Sequence, residues 1–442
     1  MLTLLLSFHE IIQASWEQQY KKIDNLIQES NIAITIVISA FNEEKRILNC
    51  LYSVLKSNYK NVHIIVASDG STDNTIALLI NTFDLYKIPP VIRQVIPTSP
   101  VRQYYQSKTV PNLLVIDKEH SPYHNPADCH NAALNAATTP IFMTLDADTI
   151  LEPDALENIL LSFLSKKQCI SVGGAVYVVN DNIVEQGCIL TKNISKNFIV
   201  GFQCIEYIRS FTYGRAGYNS LSGSLCFAGA FTVFETNALR EFGGYDAKNC
   251  SFDAEIILRI HHQMRKRHYP TSVHFNPSAI SWTIVPDNLR AYWRQRHFWQ
   301  RGMLLSAFKH ITMLFNPRYG RVGLLLLPAY FAFEIFAPVI EFISYVLLAI
   351  GLIFGYTTWG VTVWYWMLAW GGLTLLTLGS YCLNLISFTH FYKLSDLGRF
   401  LGYTTMEMFG FRQFRAACCS WATLQFFWRR LFHRFKLTRL SY

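Results

Sequence analysis

The run IFMTLDADTI, residues 141–150, decides the fold of this chain. An apolar strand ends there in two aspartates, Asp146 and Asp148, with one residue between them. Side chains alternate along a strand, so positions two apart point the same way. Two carboxylates on one side of a strand end suit a hard divalent cation, which takes oxygen ligands and completes its shell with water and substrate phosphate. The spacing therefore points to a phosphate-bearing substrate handled through a metal. Asp-x-Asp is also a common turn, so its neighbours along the chain must support the reading.

They do. IAITIVISA (32–40) is a short apolar run rich in β-branched residues, and FNEEKRI after it opens a helix through about Lys56 with Glu43 and Glu44 in its first turn. VHIIVAS (62–68) is a second strand, followed by DGSTDNT, where Gly70 turns the chain and the Ser/Thr/Asp cluster caps a helix from Thr75. PPVIRQVI and NLLVID read as further strands, and NAALNAAT as a helix. Strands interleaved with helices predict an α/β domain on a mostly parallel sheet, whose ligands bind beyond the carboxyl ends of the strands. Asn42, Glu43, Asp69, Asp146 and Asp148 all fall at such ends. Residues 170–310 are mixed, with Gly223 and Gly229 allowing close backbone approach in a strand region and FDAEIILRIHHQMRKR forming a helix.

The remainder of the chain has a different composition. Of 442 residues, 51% are hydrophobic and only 16% charged, against about 25% charged in an ordinary soluble domain. No Asp, Glu, Lys or Arg occurs from Phe342 to Tyr392. A span needs roughly 20 apolar residues, so 322–390 predicts about two membrane helices, near 335–355 and 361–388. The net charge of +9 gathers beside them, in Arg290, Arg294, Arg296 and Arg301 before and Arg429, Arg430, Arg434, Lys436 and Arg439 after. Basic flanks on both sides put both flanks in the cytosol. They indicate membrane lipids and anionic substrates, not nucleic acid. The expected organisation is an N-terminal helical segment at 1–30, a cytosolic catalytic domain at 31–315, a transmembrane region at 320–390 and an interfacial amphipathic basic tail at 391–442. MLTLLLSFHEII at the start lacks a basic region and a small-residue cleavage site, which argues against a signal peptide. Ten cysteines without a C-x-x-C pair suggest neither zinc nor a disulfide framework.

The ordered set ISAFNEE, SDGSTDNT, LDADT, FAGAF, GGYD…FDAEIILR and QRHFWQRG resembles the membrane-bound family 2 glycosyltransferases, which include the cellulose, hyaluronan and poly-N-acetylglucosamine synthases. The similarity runs from about residue 33 to the tail. It implies a GT-A (Rossmann-like) fold, a nucleoside-diphosphate sugar donor carrying UDP, and inversion at the anomeric centre. It further implies a lipid-linked or polysaccharide acceptor, a place in the cell (inner) membrane with catalytic domain and C-terminus cytosolic, and Mg²⁺ or Mn²⁺ as cofactor. Carried over, Asp69 contacts the uridine, Asn42 and Glu43 border the nucleotide, Asp146 holds nucleotide and metal, and Asp148 holds the metal. Asp253 is then the general base, and Gln295, Arg296 and Trp299 lie at the boundary of diphosphate and acceptor. The chemistry asks for the same types: a metal neutralises a departing diphosphate, and a carboxylate takes the proton of the attacking hydroxyl.

Each position also has a structural reading: Asp69 as a turn residue, Asp253 as a helix-cap acid, Glu255 as a solvated or structural partner, Trp299 as an interfacial anchor, and His261, His262 and His268 as a packing or surface set. The chain departs from the family where Glu is usual before the base (Phe252), in the Trp-Thr-Glu-x-Pro piece (Ile284), before Trp299 (Phe298), and where a basic residue precedes ALN (His130). These departures motivate a rival reading, a membrane-anchored binding or scaffold subunit that kept the fold without the activity. A partner subunit is compatible with either.

Overall fold

In the computed structural model residues 31–90, 92–219, 223–267, 272–387 and 396–432 are described. The expected helical segment at 1–30, His268 and the last ten residues of the basic tail lie outside them.

The strands are β1 (Ile34–Ala40), β2 (Val62–Asp69), β3 (Leu85–Ile88), β4 (Val101–Ser107), β5 (Leu113–Lys118), β6 (Ile141–Asp146), β7 (Ile150–Leu151), β8 (Cys169–Val178), β9 (Phe231–Glu235) and β10 (Ser272–Thr283). They form one sheet in the order β3-β4-β5-β2-β1-β6-β9-β8-β10-β7. β1 runs parallel to β2 and β6. All seven of its residues are buried, as expected of a central strand covered on both faces. The period of two is visible in its packing. Ile34, Ile36 and Ile38 enter the core on one face, with Ile47, Leu51, Ile159 and Leu160, and Val37 enters the other, with Phe142, Ala133 and Leu134. Helices α1 (Ile47–Leu55), α2 (Thr75–Phe83), α3 (Ala127–Ala136) and α4 (Ala155–Ser165) supply much of this cover.

Three local expectations are revised. PPVIRQVI is not a strand: β3 precedes it and β4 follows it. Pro89 and Pro90 bring no N–H to a ladder, which outweighs the apolar composition. The first helix starts at Ile47, beyond Glu43 and Glu44, because Asn42 takes a left-handed φ of 57° and a turn intervenes. The segment from Gly223 to Ala230 is irregular and only Phe231–Glu235 joins the sheet. All ten cysteines are free thiols.

Beyond the sheet come α5 (Phe198–Ile208), continuing as a π-helical turn over Arg209–Gly214, then α6 (Phe252–Lys266) and α7 (Leu289–Lys309). The C-terminal part holds α8 (Ala337–Ile353), α9 (Trp359–Ser387), α10 (Leu397–Glu407) and α11 (Phe411–Phe432). About two membrane helices were expected there. Among the described residues one helix, Trp359–Leu385, is long and apolar enough alone, with a mean hydropathy of 1.3. The other candidate is a pair, Val322–Ile335 and Ala337–Ile353, bent by 44°. The bend follows Phe336, where Pro338 enters the first turn of α8.

These segments are bound into the sheet domain. Arg209 donates to Glu407 (Nη2–Oε2 2.9 Å), both buried. Asn384 donates to the Tyr177 hydroxyl at 2.6 Å, and the Tyr403 hydroxyl donates to the Ser195 carbonyl at 2.8 Å. On α6, Glu255 is fully buried, not solvated, and pairs with Arg259 (2.6 Å), Lys309 (2.7 Å) and His310 (3.2 Å). Burial pushes its carboxyl up, but the hydrogen bond to His310 and the charges of Arg259 and Lys309 prevail and hold it at about 2. A carboxyl held below its ordinary 4.5 contributes stability above that pH, and the contribution is lost as pH falls toward about 2. Glu255→Gln is expected to lose about 1–3 kcal/mol at neutral pH, because it leaves the partly buried Arg259 guanidinium without its carboxylate. Thermal unfolding of wild type and variant should show a difference that narrows as pH is lowered from about 6 to about 2; a constant difference would contradict the assignment.

Candidate active site

The register sets the site. Ser39 lies opposite Asp146 and Ala40 opposite Ser68, so three parallel strands end in one row and their following loops share one crevice. At its first edge the loops after β1 and β2 hold each other. The Asn42 side-chain carbonyl accepts from the Thr72 and Asp73 backbone N–H groups (2.8 and 3.3 Å). Asp73 accepts from the Glu44 N–H (3.1 Å), and the Thr75 hydroxyl accepts from the Glu43 N–H (2.9 Å). Asn42 thus shapes the loops that frame the crevice. Asp69 is buried, with its carboxylate already engaged by Lys118, the Ser121 N–H (3.0 Å) and His120 (2.9 Å). Lys118 also reaches Asp128 (2.7 Å). Asp69 therefore fixes the position of His120, whose ring packs on exposed Phe41 at 4.7 Å and hydrogen-bonds His124 at 2.7 Å.

Asp146 and Asp148 stand at the centre. Asp148 accepts from the Thr283 and Thr149 hydroxyls (3.2 and 3.4 Å). The Asp146 carboxylate has no protein donor among the described residues. Burial first, then the charges of Asp148, Asp253 and Glu43, push Asp146 up to about 7. Burial also raises Asp148, against the pull of Thr283 and Arg46, and it raises Glu43, helped by Asp148. A cation between Asp146 and Asp148 would relieve this crowding. Among the described residues no three His, Cys, Asp or Glu side chains converge as a complete ligand set. The donors therefore fit a cation held by one or two carboxylates with water and substrate phosphate, as Mg²⁺ is. A cavity of about 410 Å³ opens beside Asp148, lined by Lys45, Arg46, Asn49, Asn182, Ile284 and Asp287 among others.

Asp253 lies in the first turn of α6, and its oxygens accept from the Ala254 N–H (2.8 Å), the Ser251 hydroxyl (3.0 Å) and the Gly229 N–H (3.3 Å). Gly229 permits this approach: a Cβ there would sit 3.3 Å from the Asp253 Cβ. Burial raises the carboxyl above its ordinary 3.8, while the N–H donors, Ser251 and the Arg215 charge oppose the rise.

The α7 residues sit differently. Arg296 is buried, pairs with Glu206 on α5 at 2.8 Å and packs over the Trp299 ring at 4.3 Å. Its guanidinium holds two helices together. The Gln295 side-chain oxygen is buried with no partner among the described residues, and one face of Trp299 is exposed. Sequence reasoning passed over Arg46 and Arg215, the cations whose fields reach Asp148 and Asp253. Arg46 carried a signal, since it follows the first strand end by a few residues; Arg215 lies in the GRAGY stretch and carried none.

Two departures from the family pattern meet in space. The Phe252 and His130 rings pack edge-on at 5.3 Å, with Tyr245 against both. His130 is fully buried, neither ring nitrogen has a partner among the described residues, and burial lowers it to about 3, so it is neutral at pH 7. An aromatic contact stands where the family carries an acid and a base. His261 is likewise a buried packing residue, with Nε2 on the Ser224 carbonyl at 3.2 Å.

The model of the family described as glycosyltransferase like family 2 matches residues 31–302, more than half of the chain. Poly-beta-1,6-N-acetyl-D-glucosamine synthase of Staphylococcus epidermidis is 24% identical over 269 residues, covering 61% of this chain and 54% of that protein. The synthase of the same name from Staphylococcus aureus (strain COL) is 27% identical over 282 residues, covering 64% and 57%. The chain thus spans a little over half the length of these relatives. Among solved structures, the mannosyltransferase PcManGT from Pyrobaculum calidifontis, in complex with GDP-Man and Mn²⁺, superposes with a TM-score of 0.51 at 15% identity, covering 93% of this chain and 99% of that one. That likeness concerns the fold. The expected α/β GT-A-like sheet and the matched motifs agree, and the chain belongs to glycosyltransferase family 2.

Proposed function

We propose that this protein is an inverting glycosyltransferase that moves a sugar from a nucleoside diphosphate, UDP in the first instance, to a lipid-linked or polysaccharide acceptor at a membrane, with the catalytic domain on the cytosolic side. The observation that carries the reading is the position of Asp253. It is a carboxylate held by two backbone N–H groups and a hydroxyl, within electrostatic reach of Asp146. Asp253 takes the proton of the acceptor hydroxyl as that oxygen attacks the anomeric carbon. The bond from that carbon to the diphosphate oxygen breaks on the opposite side. Asp146 and Asp148 would hold Mg²⁺ or Mn²⁺, which would supply Lewis-acid neutralisation of the departing diphosphate. Arg46, beside Asp148, adds positive charge on the same side. Phe41 and His120 offer flat faces to the nucleobase, and the exposed face of Trp299 suits a sugar ring.

A second reading, a binding or scaffold subunit, draws on Phe252, Ile284 and Phe298 and on Arg296 being engaged by Glu206. Release of the nucleoside diphosphate, UDP or GDP according to the donor, by the purified full chain in lipid nanodiscs separates the two. UDP-N-acetylglucosamine should be tried first because of the named relatives, and GDP-mannose included because of the structural neighbour. UDP binding with no release across the panel would favour the scaffold.

Asp253→Asn is expected to lower turnover by about 10²- to 10⁴-fold, the range for a general base, while UDP affinity stays within a few-fold. Equal loss of both would make Asp253 a structural residue. Chelation with EDTA should abolish turnover and added Mg²⁺ or Mn²⁺ restore it; Asp148→Ala should not recover at any metal concentration, and an active, metal-independent Asp148→Ala protein would end the metal assignment. Because the base works deprotonated and its carboxyl is raised, kcat/KM should fall on the acid side with an apparent pKa above the ordinary 3.8. An acid limb at or below that value would mean that Asp253 is not the titrating group.

A further inference from the structure

The apolar hairpin made by α8 and α9 is shorter than its composition suggests. Its turn lies at 354–358, where Tyr356 is 85% exposed and Trp359, opening α9, is 75% exposed. Its base is marked by charge. Glu341 on α8 accepts from Arg412 of α11 at 2.8 Å and from the Tyr345 hydroxyl at 2.6 Å. At the same level Trp366 of α9 stacks on Tyr345 and on Phe409 (centroids 5.8 and 6.3 Å), and the Trp370 indole N–H donates to the Thr405 hydroxyl at 3.1 Å.

Below that level each arm is held against the protein along one face. On α9, Leu373, Thr377, Ser380, Tyr381, Leu383 and Asn384 are buried. The first arm of the bent pair is also core, through Val322, Leu326, Leu327 and Tyr330. What projects is Glu341 to Ile353 and Trp359 to Trp370, each about 17–18 Å at 1.5 Å per residue. The hydrocarbon core of a bilayer is about 30 Å thick. The projecting arms do not reach across it.

The turn is built for an apolar medium. The Phe354, Gly355 and Thr357 N–H groups donate back to the Ile350, Leu352 and Gly351 carbonyls of α8 (3.0, 3.4 and 3.1 Å), and the Thr358 hydroxyl accepts from the Val361 N–H at 3.4 Å. Non-helical backbone in lipid requires such internal partners. Arg412 at the base, and Arg318 and Arg321 just before the bent pair, are placed in sequence to meet anionic headgroups.

We propose that α8 and α9 form a re-entrant hairpin, which enters one leaflet of a lipid bilayer, turns at Gly355–Thr358 within the hydrocarbon and leaves through the face it entered. The flanks then share one side without any span, and the catalytic crevice is held against a single leaflet. The inference goes beyond the transferase reading and does not depend on it.

The test uses the full chain expressed in bacterial membranes, with Tyr356→Cys and Trp359→Cys made separately and a membrane-impermeant maleimide as probe. Labelling at each position is located by peptide mass mapping, since the native thiols also react. It is compared in spheroplasts, inverted vesicles and detergent. The expected result is labelling in both intact preparations below about one tenth of that in detergent, for both variants, with the protein retained in the membrane after an alkaline wash. Labelling of either position in intact spheroplasts would mean that the hairpin crosses. Labelling in inverted vesicles, or release by the wash, would mean that it stays outside the hydrocarbon. Either outcome overturns the proposal.

Discussion

Burial at the carboxyl end of a parallel sheet, sharpened at Asp146 and Glu43 by neighbouring carboxylates, disfavours the ionisation of Glu43, Asp146, Asp148 and Asp253, and the rest of the site answers to it. None is close to ideal as a lone anion in a buried crevice, and Asp146 bears most of the strain, rising to about 7. Proteins that crowd acids in this way hold them for a cation, for a proton transfer, or for both. The surrounding hydrogen bonds divide those tasks. Asp253 is surrounded by donors that favour its anion, whereas Asp146 is left without a donor among the described residues, ready for a charge brought in from outside.

Much of this was legible in the chain, and the reason is geometric. Strand ends of a parallel sheet collect at one edge whatever the helices between them do, so marking the polar residue after each apolar run located Asn42, Glu43, Asp69, Asp146 and Asp148 together. What side chains do once collected was less legible. Asp69 and Asn42 lie where expected, yet both are occupied with loop architecture. Arg296 finds Glu206 some ninety residues away, a pairing that no local pattern announces. PPVIRQVI failed for a local reason, since its prolines deny the ladder its donors. The expectation of about two membrane helices is met only in part, by one helix and one bent pair. Composition registers that Leu373, Leu383 and their neighbours are apolar, but not that they face protein.

The contact between Phe252 and His130 bears on how departures from a family pattern are judged. Taken singly, each looks like damage to the site. Together they form one aromatic patch with Tyr245 beside Asp253. They alter the wall beside Asp253 and leave its own hydrogen bonds intact.

The bonds from Arg209 to Glu407 and from Asn384 to Tyr177 have a bearing on what counts as a unit in this protein. The composition changes near residue 320, but the packing does not. A fragment ending there would strand a buried guanidinium, open the face around Phe202 and Tyr177 to water, and remove the residues that brace the sheet from behind. The C-terminal helices are packed into the same body as the sheet and are not joined to it by a mere tether. On the re-entrant hairpin proposed above, these bonds would set the height of the crevice over the lipid, and the bilayer would then select which hydroxyls can be presented to it.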